Sequence, residues 1–209
     1  MLSEDLFRLY AITDRTLVPG GGLTSLIPRL ADGGLRGLQL REKDLSEEEL
    51  LKLASAIRPA MEQHKVQWLV NGSMDVAMKV NANGVHLPSP ADPREARRRL
   101  GPAALIGKSV HSTGESRDAA RGGADFLLFG PVFDTPSKRP FGAPQGIERL
   151  GEVCESVDIP VYAVGGMTPE RVAGCLKAGA RGVAVVSGLM AAEDPVEVLR
   201  IYGRELGGL

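Results

Sequence analysis

Short apolar runs of four to eight residues recur along the chain, and each run is followed by a polar or Gly/Pro turn and then by a segment with helical spacing. This alternation predicts strands that are each succeeded by a helix. The predicted strands cover residues 8–13, 38–41, 68–71, 84–87, 105–110, 126–129, 161–164 and 182–186. Short apolar strands of this kind are typical of a parallel sheet that helices cover on its faces.

Local signals mark where the helices begin and end. Ser46 followed by Glu49 resembles a capping box, and Thr168 followed by Pro169 puts a cap residue before a proline. Glycines at the predicted helix ends can adopt the left-handed conformation that stops a helix; they are Gly33, Gly34, Gly84, Gly123 and Gly179. Eight strand–helix units in 209 residues give about 26 residues each. We therefore predict a single compact α/β domain over residues 1–209, a (β/α)8 TIM barrel, with an open doubly wound sheet as the alternative.

The charge balance argues against polyanionic partners. Lys and Arg number 25 and Asp and Glu number 26, so no basic excess is available for nucleic acid or a membrane surface. The longest apolar stretches are well below the ~18 residues of a transmembrane helix. The first residues are acidic and lack a signal-peptide pattern, which predicts a cytoplasmic protein. The two cysteines, Cys154 and Cys175, are interpreted as reduced packing residues.

Polar side chains interrupt the apolar pattern at the end of the second predicted strand. A period of two places Gln39, Arg41 and Lys43 on one face, while Leu38 and Leu40 face the helices. TIM barrels build their active sites at the carboxyl ends of their strands, so two cations would point into the barrel mouth. The alternative is a solvated turn with ordinary surface charges.

Further polar residues end the third and fifth predicted strands. Asn71 closes the third strand, and Ser109 and His111 share one side of the fifth. An imidazole titrates near neutral pH, so His111 is a candidate proton carrier at the rim. The other two histidines, His64 and His86, are interpreted as structural.

The turns after the last three strands are candidates for ligand contact. Residues 134–144 form the longest irregular stretch and are predicted to cover the mouth, although an ordinary surface excursion is the alternative. Gly165 and Gly166 follow the seventh strand, and Ser187 and Gly188 follow the eighth. Small residues before a helix let backbone N–H groups approach an anion, and these two loops are the recurrent phosphate site of TIM barrels. We therefore predict a small phosphate-bearing ligand. Residues with metal-ligand spacing are not found in the sequence.

At these residues the chain resembles the thiamin-phosphate synthase superfamily along nearly its whole length. The similar segments include Gln-Leu-Arg-Glu-Lys at 39–43, Gly-Lys-Ser-Val-His-Ser at 107–112, Thr-Pro-Ser-Lys at 135–138 and Val-Gly-Gly-Met at 164–167. The resemblance implies a TIM barrel and a thiazole phosphate substrate. It also implies a phosphate site formed by Gly165, Gly166, Val186 and Ser187.

The superfamily has two branches, and two segments separate them. Synthases join a pyrimidine pyrophosphate to the thiazole phosphate and hold Mg²⁺ with acidic residues after the third and fourth strands. This chain carries Asn-Gly-Ser at 71–73 and Leu-Pro-Ser at 87–89, without those acidic residues. Because Mg²⁺ offsets charge on a leaving pyrophosphate, the sequence argues against the synthase reaction. At these two segments the chain resembles the TenI-like thiazole tautomerases instead. This resemblance implies an isomerase of thiamin biosynthesis that needs no metal or redox cofactor.

A tautomerase would move a proton on a carboxythiazole phosphate, and the resemblance puts that role on His111. Charge considerations suggest that Arg41, Lys43 or Lys138 faces the substrate carboxylate. The expected substrate-binding residues are Gln39, Arg41, Lys43, Asn71, Ser109, Thr135 and Lys138. Two alternatives stay open: a synthase with an altered metal site, and a non-catalytic regulator that binds a thiazole or thiamin phosphate. Small barrels often pair, so we expect a homo-oligomer.

Overall fold

A computed structural model describes residues 6–20, 22–135, 139 and 143–208. The strands in this part of the chain are β1 (Leu9–Ile12), β2 (Gly37–Leu40), β3 (Gln67–Asn71), β4 (Gly84–Leu87), β5 (Leu105–Val110), β6 (Phe126–Phe129), β7 (Val161–Val164) and β8 (Gly182–Val185). All neighbours are parallel, and β1 pairs with both β2 and β8 to close the barrel. The TIM-barrel prediction is confirmed, and the open-sheet alternative is wrong. Each predicted strand end differs from the observed one by at most one residue.

Helices surround the barrel. Their bounds are α1 (Leu23–Asp32), α2 (Glu47–Gln63), α3 (Met74–Lys79), α4 (Pro93–Leu100), α5 (Thr113–Arg121), α6 (Gly146–Glu155), α7 (Pro169–Lys177), α8 (Ser187–Met190) and α9 (Pro195–Leu206). The capping box is confirmed, because the Ser46 side chain accepts from the Glu49 N–H and the Glu49 carboxylate accepts from the Ser46 N–H at 2.9 Å. In the described ranges, no helix has the length and apolar character needed to cross a bilayer.

Two apolar layers hold the barrel together. Leu38 and Leu40 belong to the outer layer, between strands and helices, as the alternation along β2 predicts. A second cluster fills the inside of the barrel and contains Tyr10, Leu69 and Phe126. Alternate residues of every strand therefore point toward the space that leads to the barrel mouth.

The repeated glycine turn is confirmed at three helix ends, where Gly34, Gly123 and Gly179 have φ values of +110°, +90° and +96°. The prediction for Gly84 is wrong. Gly84 lies in β4, and a Cβ atom there would sit 1.8 Å from the carbonyl oxygen of Leu105. Gly84 therefore allows close strand packing and does not end a helix.

Both cysteines lie in helices as free thiols, Cys154 in α6 and Cys175 in α7. Burial raises the pKa of each thiol to about 11. Both groups are protonated at neutral pH, which suits the packing role expected from the sequence.

Candidate active site

Aromatic side chains fill the base of the barrel interior. Phe7 stacks on Tyr10 with ring centroids 4.7 Å apart, and Phe126 meets both Tyr10 and Tyr162 edge-on at 5.5 Å. The Tyr162 hydroxyl donates to the carbonyl oxygen of Phe7. We call these four residues the aromatic plug. It closes the barrel at the amino ends of its strands, so the candidate site lies at the carboxyl ends.

Polar side chains from β2 to β5 form one wall above the plug. Asn71 Nδ2 donates to Gln39 Oε1 at 3.2 Å, and His86 Nε2 lies 2.9 Å from Ser109 Oγ. Gln39 and His86 are each only 1% exposed. We call these four residues the polar wall. The structure brings together three residues that the sequence singled out, and it adds His86, which the sequence suggested was merely structural.

The Gln39 amide of this wall interacts with the Tyr10 hydroxyl of the plug, and both groups are buried. His86 Nδ1 is buried beside Gly107 and has no hydrogen-bond partner among the described residues. A buried unpaired donor or acceptor costs about 1–3 kcal/mol. The Gln39 amide is therefore the candidate group of this set for the polar edge of a ligand that enters from the mouth.

Aliphatic side chains form the facing wall of the barrel interior. Ile12, Leu128, Val164 and Val186 belong to or pack against the inner apolar cluster. Val186 thus points its side chain into the barrel, and only its backbone is left for the phosphate contact expected from the sequence. A flat ring with polar edges fits between a hydrogen-bonding wall and an aliphatic one.

His86 is uncharged at neutral pH. Burial, together with the positive charges of Lys108 and Arg41, lowers its pKa to about 3. Room for the ring depends on Gly107, because a Cβ atom there would lie 2.6 Å from His86 Nδ1. The imidazole therefore serves as a neutral hydrogen-bonding group.

Arg41 is a half-buried cation at the end of β2. Burial lowers the pKa of its guanidinium, and no carboxylate of the described residues forms an ion pair with it. The adjacent Glu42 carboxylate instead accepts from Thr13 Oγ1 at 2.6 Å and from Arg15 at 3.3 Å. The carboxylates of Asp14 and Glu42 offset part of the cost of burying the Arg41 charge without forming an ion pair with it, so the guanidinium can also bind an anion. Lys43 is exposed two residues further on.

The turn between β7 and α7 has the backbone geometry that the sequence suggested. Gly165 and Gly166 have φ values of +96° and +60°. A Cβ atom at Gly165 would lie 2.5 Å from Pro131 Cβ, and one at Gly166 would lie 2.5 Å from the Asp134 carbonyl oxygen. Helices α7 and α8, the latter beginning at Ser187, both start without a side-chain cap. Pro169 at the start of α7 has no N–H, and the Arg171 N–H donates to the Thr168 carbonyl oxygen at 3.1 Å. The Gly165–Gly166 backbone and the start of α8 are therefore the candidate anion contacts.

His111 lies exposed at the end of β5. Its Nδ1 atom is 2.7 Å from the Gly130 carbonyl oxygen, which can only accept a hydrogen bond. Nδ1 therefore carries a proton and donates it in this hydrogen bond. Thr135 follows β6 at the edge of the described residues, whereas Lys138 and most of the proposed covering loop lie outside them.

These features define a (β/α)8 barrel with a candidate active site at the carboxyl ends of its strands. The thiamine monophosphate synthase family matches residues 9–189, and the chain belongs to this family. A Geobacter sulfurreducens protein, provisionally named thiamine-phosphate synthase, is 42% identical over 93% of this chain and 92% of its own length. A thiamine-phosphate synthase from Pyrococcus abyssi is 40% identical over 91% and 90%. The thiamine phosphate pyrophosphorylase structure from Pyrococcus furiosus has a TM-score of 0.85 and 32% identity, covering 96% of this chain and 95% of that one.

The prediction of a thiazole tautomerase, and with it the isomerase class, is wrong, because these relatives are named synthases or pyrophosphorylases. The error came from giving two short segments, 71–73 and 87–89, more weight than the similarity of the whole barrel. The comparisons favour the synthase that the sequence left as an alternative.

Proposed function

We propose that the chain is a thiamine-phosphate synthase. It would transfer the methylene-linked pyrimidine of a pyrimidine diphosphate to the ring nitrogen of a thiazole phosphate. The carbon–oxygen bond to the diphosphate breaks, a carbon–nitrogen bond forms, and diphosphate leaves without any oxidation or reduction. The observation that carries this proposal is the similarity of the entire barrel to relatives named for that activity.

The distribution of anion-binding groups supports a reaction of two phosphorylated substrates. Arg41 and Lys43 stand at the end of β2, whereas the Gly165–Gly166 turn and the start of α8 at Ser187 follow β7 and β8. Strand β1 separates the two regions in the closed barrel. We assign the thiazole phosphate to the β7 and β8 turns and the diphosphate to the cations of β2.

The barrel interior between these two anion-binding regions can accommodate the pyrimidine and thiazole rings of the substrates. The polar wall can hydrogen-bond the edge of an aminopyrimidine through Gln39, Asn71 and Ser109, while the aliphatic wall covers the ring faces. Positive charge develops on the methylene carbon as the diphosphate departs. A neutral His86 does not oppose that charge, whereas an imidazolium at the same place would repel it. Thr135 and Lys138 are proposed to bind substrate, as the sequence predicts.

Direct product formation tests the proposal. The intact protein, mixed with the pyrimidine diphosphate and the thiazole phosphate, should form thiamine phosphate and pyrophosphate, detected by mass spectrometry and phosphorus NMR. Neither substrate alone should give product. If both substrates bind and no thiamine phosphate appears over a wide range of concentrations and metal conditions, the proposed function is wrong.

Arg41→Gln should lower kcat/KM for this reaction by about 10- to 100-fold, because a hydrogen bond to a charged group contributes about 1.5–3 kcal/mol. The matched control is Arg58→Gln, which removes an exposed guanidinium paired with Glu62 on α2. The control should retain activity within about twofold, as surface ion pairs contribute little. Equal losses in the two variants would contradict the assignment of Arg41.

A further inference from the structure

We propose that this chain binds the diphosphate as a free anion held by side-chain cations, and not as a complex with a carboxylate-bound metal ion. The inference rests on the proposed function, since the diphosphate belongs to the proposed substrate. It follows from the residues at the ends of β3, β4 and β5.

The first two residues after β3 and after β4 carry no carboxylate. Gly72 and Ser73 follow Asn71, and Pro88 and Ser89 follow β4. The Asn71 amide donates to Gln39 and, at 3.3 Å, to the carbonyl oxygen of residue 86. Protein-bound Mg²⁺ is normally held through one or two carboxylates. The residues present therefore do not fit the metal ion that the family resemblance implies.

An ammonium group already occupies the end of β4. Lys108 extends from β5 and donates to the carbonyl oxygen of Pro88 at 2.5 Å and also to that of Ser89. Lys108 is only 5% exposed. Two oxygen atoms that a metal ion could use are thus already bound to the Lys108 ammonium group, whose charge interacts with the carboxylates of Glu115 and Asp92.

The nearest carboxylates of this rim are engaged by other donors. Asp75 pairs with Arg99 at 2.7 Å, and Asp92 caps α4 by accepting from the Arg94 N–H at 2.9 Å. Glu115 accepts from the His111 N–H at 2.9 Å and from Ser89 Oγ at 3.3 Å. Across the described ranges, no three His, Cys, Asp or Glu residues group in a way that could hold a metal ion.

Arg41 supplies what a metal ion would otherwise provide. Its half-buried guanidinium lies close enough to His86 to influence that imidazole. The carboxylates of Asp14 and Glu42 also act on Arg41, but neither forms an ion pair with it. A planar guanidinium presents paired donors to phosphate oxygens without requiring a bridging ion. Lys43 lies in the turn that follows β2.

Calorimetric titration of the intact protein with inorganic pyrophosphate tests this inference. We expect the Kd, calculated on free pyrophosphate, to differ by less than tenfold between EDTA and Mg²⁺. In EDTA, Arg41→Gln should weaken binding at least tenfold, and Arg58→Gln should leave it within twofold of the parent. Binding that is confined to Mg²⁺, or at least tenfold tighter with it, overturns the inference, as does an Arg41→Gln variant that binds like the parent.

The coupling reaction separates failure of this inference from failure of the proposed function. Thiamine phosphate formed in EDTA supports both. Thiamine phosphate formed only with Mg²⁺ retains the synthase function and overturns metal-free binding. Pyrophosphate binding in EDTA without coupling under any condition supports metal-free binding and overturns the synthase function.

Discussion

Gly166→Ala is expected to weaken binding of the thiazole phosphate by more than about 100-fold. A non-glycine residue at a φ of +60° is strained by about 1–2 kcal/mol, and the added Cβ would lie 2.5 Å from the backbone oxygen of Asp134. The β7–α7 turn must therefore move. A displacement of about 1 Å in a positioned group can cost about 100-fold. Calorimetric titration with the thiazole phosphate measures the change.

Gly72→Ala separates backbone strain from the steric clash. Gly72 has a φ of +76°, and a Cβ atom added at that position would meet nothing within 4 Å. This variant should lose about 1 kcal/mol of stability and bind the thiazole phosphate within about threefold of the parent. If Gly166→Ala folds and binds as well as Gly72→Ala does, the phosphate is not held by the β7–α7 turn.

The free energy of unfolding should fall by about 2 kcal/mol between pH 7 and pH 5 because of His86 alone. In the unfolded chain its pKa is about 6.5, whereas burial lowers the folded-state value to about 3. The unfolded state therefore takes up the proton first as the pH drops. The contribution of neutral His86 to the free energy of unfolding is complete above the unfolded-state pKa. It declines between pH 7 and pH 5 and continues to decline until about pH 3. Urea unfolding at successive pH values measures the slope of the free energy of unfolding against pH.

His86→Gln should remove that slope, because glutamine keeps hydrogen-bonding capacity near Ser109 without titrating. His64→Gln, at the end of α2, is the matched control and should retain the slope. Since His86→Gln could lose the fold, NMR of the histidine rings in the parent protein provides a second measurement. A His86 ring that becomes protonated near pH 6 contradicts the prediction.

Much of the fold could be predicted because one physical rule governs it. Parallel strands alternate between an inner and an outer face, so Gln39 and Arg41 fall on the same side as soon as β2 is located. Glycines at helix ends recur for a local steric reason, as at Gly34 and Gly123. Gly84 looked the same in sequence, but its role depends on the neighbouring backbone of Leu105, which only the closed sheet brings near.

The unpredicted parts of the site depend on contacts between distant residues. His86 and Ser109 are 23 positions apart, and their contact requires the register of β4 against β5 and the space at Gly107. A single histidine within an apolar strand gives no sign of this contact. Lys108 reaches Pro88 from the outer face of its strand, where the alternation rule predicts an apolar side chain.

The functional prediction failed for a related reason. The absence of carboxylates at 71–73 and 87–89 indicates that these segments do not favour Mg²⁺, but it does not define the reaction. The same mouth retains Arg41, two glycine turns and a polar wall, and these groups can serve a synthase as well as an isomerase. Similarity over the whole barrel decided between the two.

The aromatic plug has a kinetic consequence. Because Phe7, Tyr10, Phe126 and Tyr162 seal one end, ligands enter and leave the barrel through a single opening. The pyrimidine ring, which reaches the polar wall, must bind before the thiazole phosphate covers it. The pyrimidine cannot leave until the thiazole ligand has left. Initial-rate and product-inhibition studies should accordingly show compulsory-order addition, with the pyrimidine diphosphate binding first and both substrates present before any product is released.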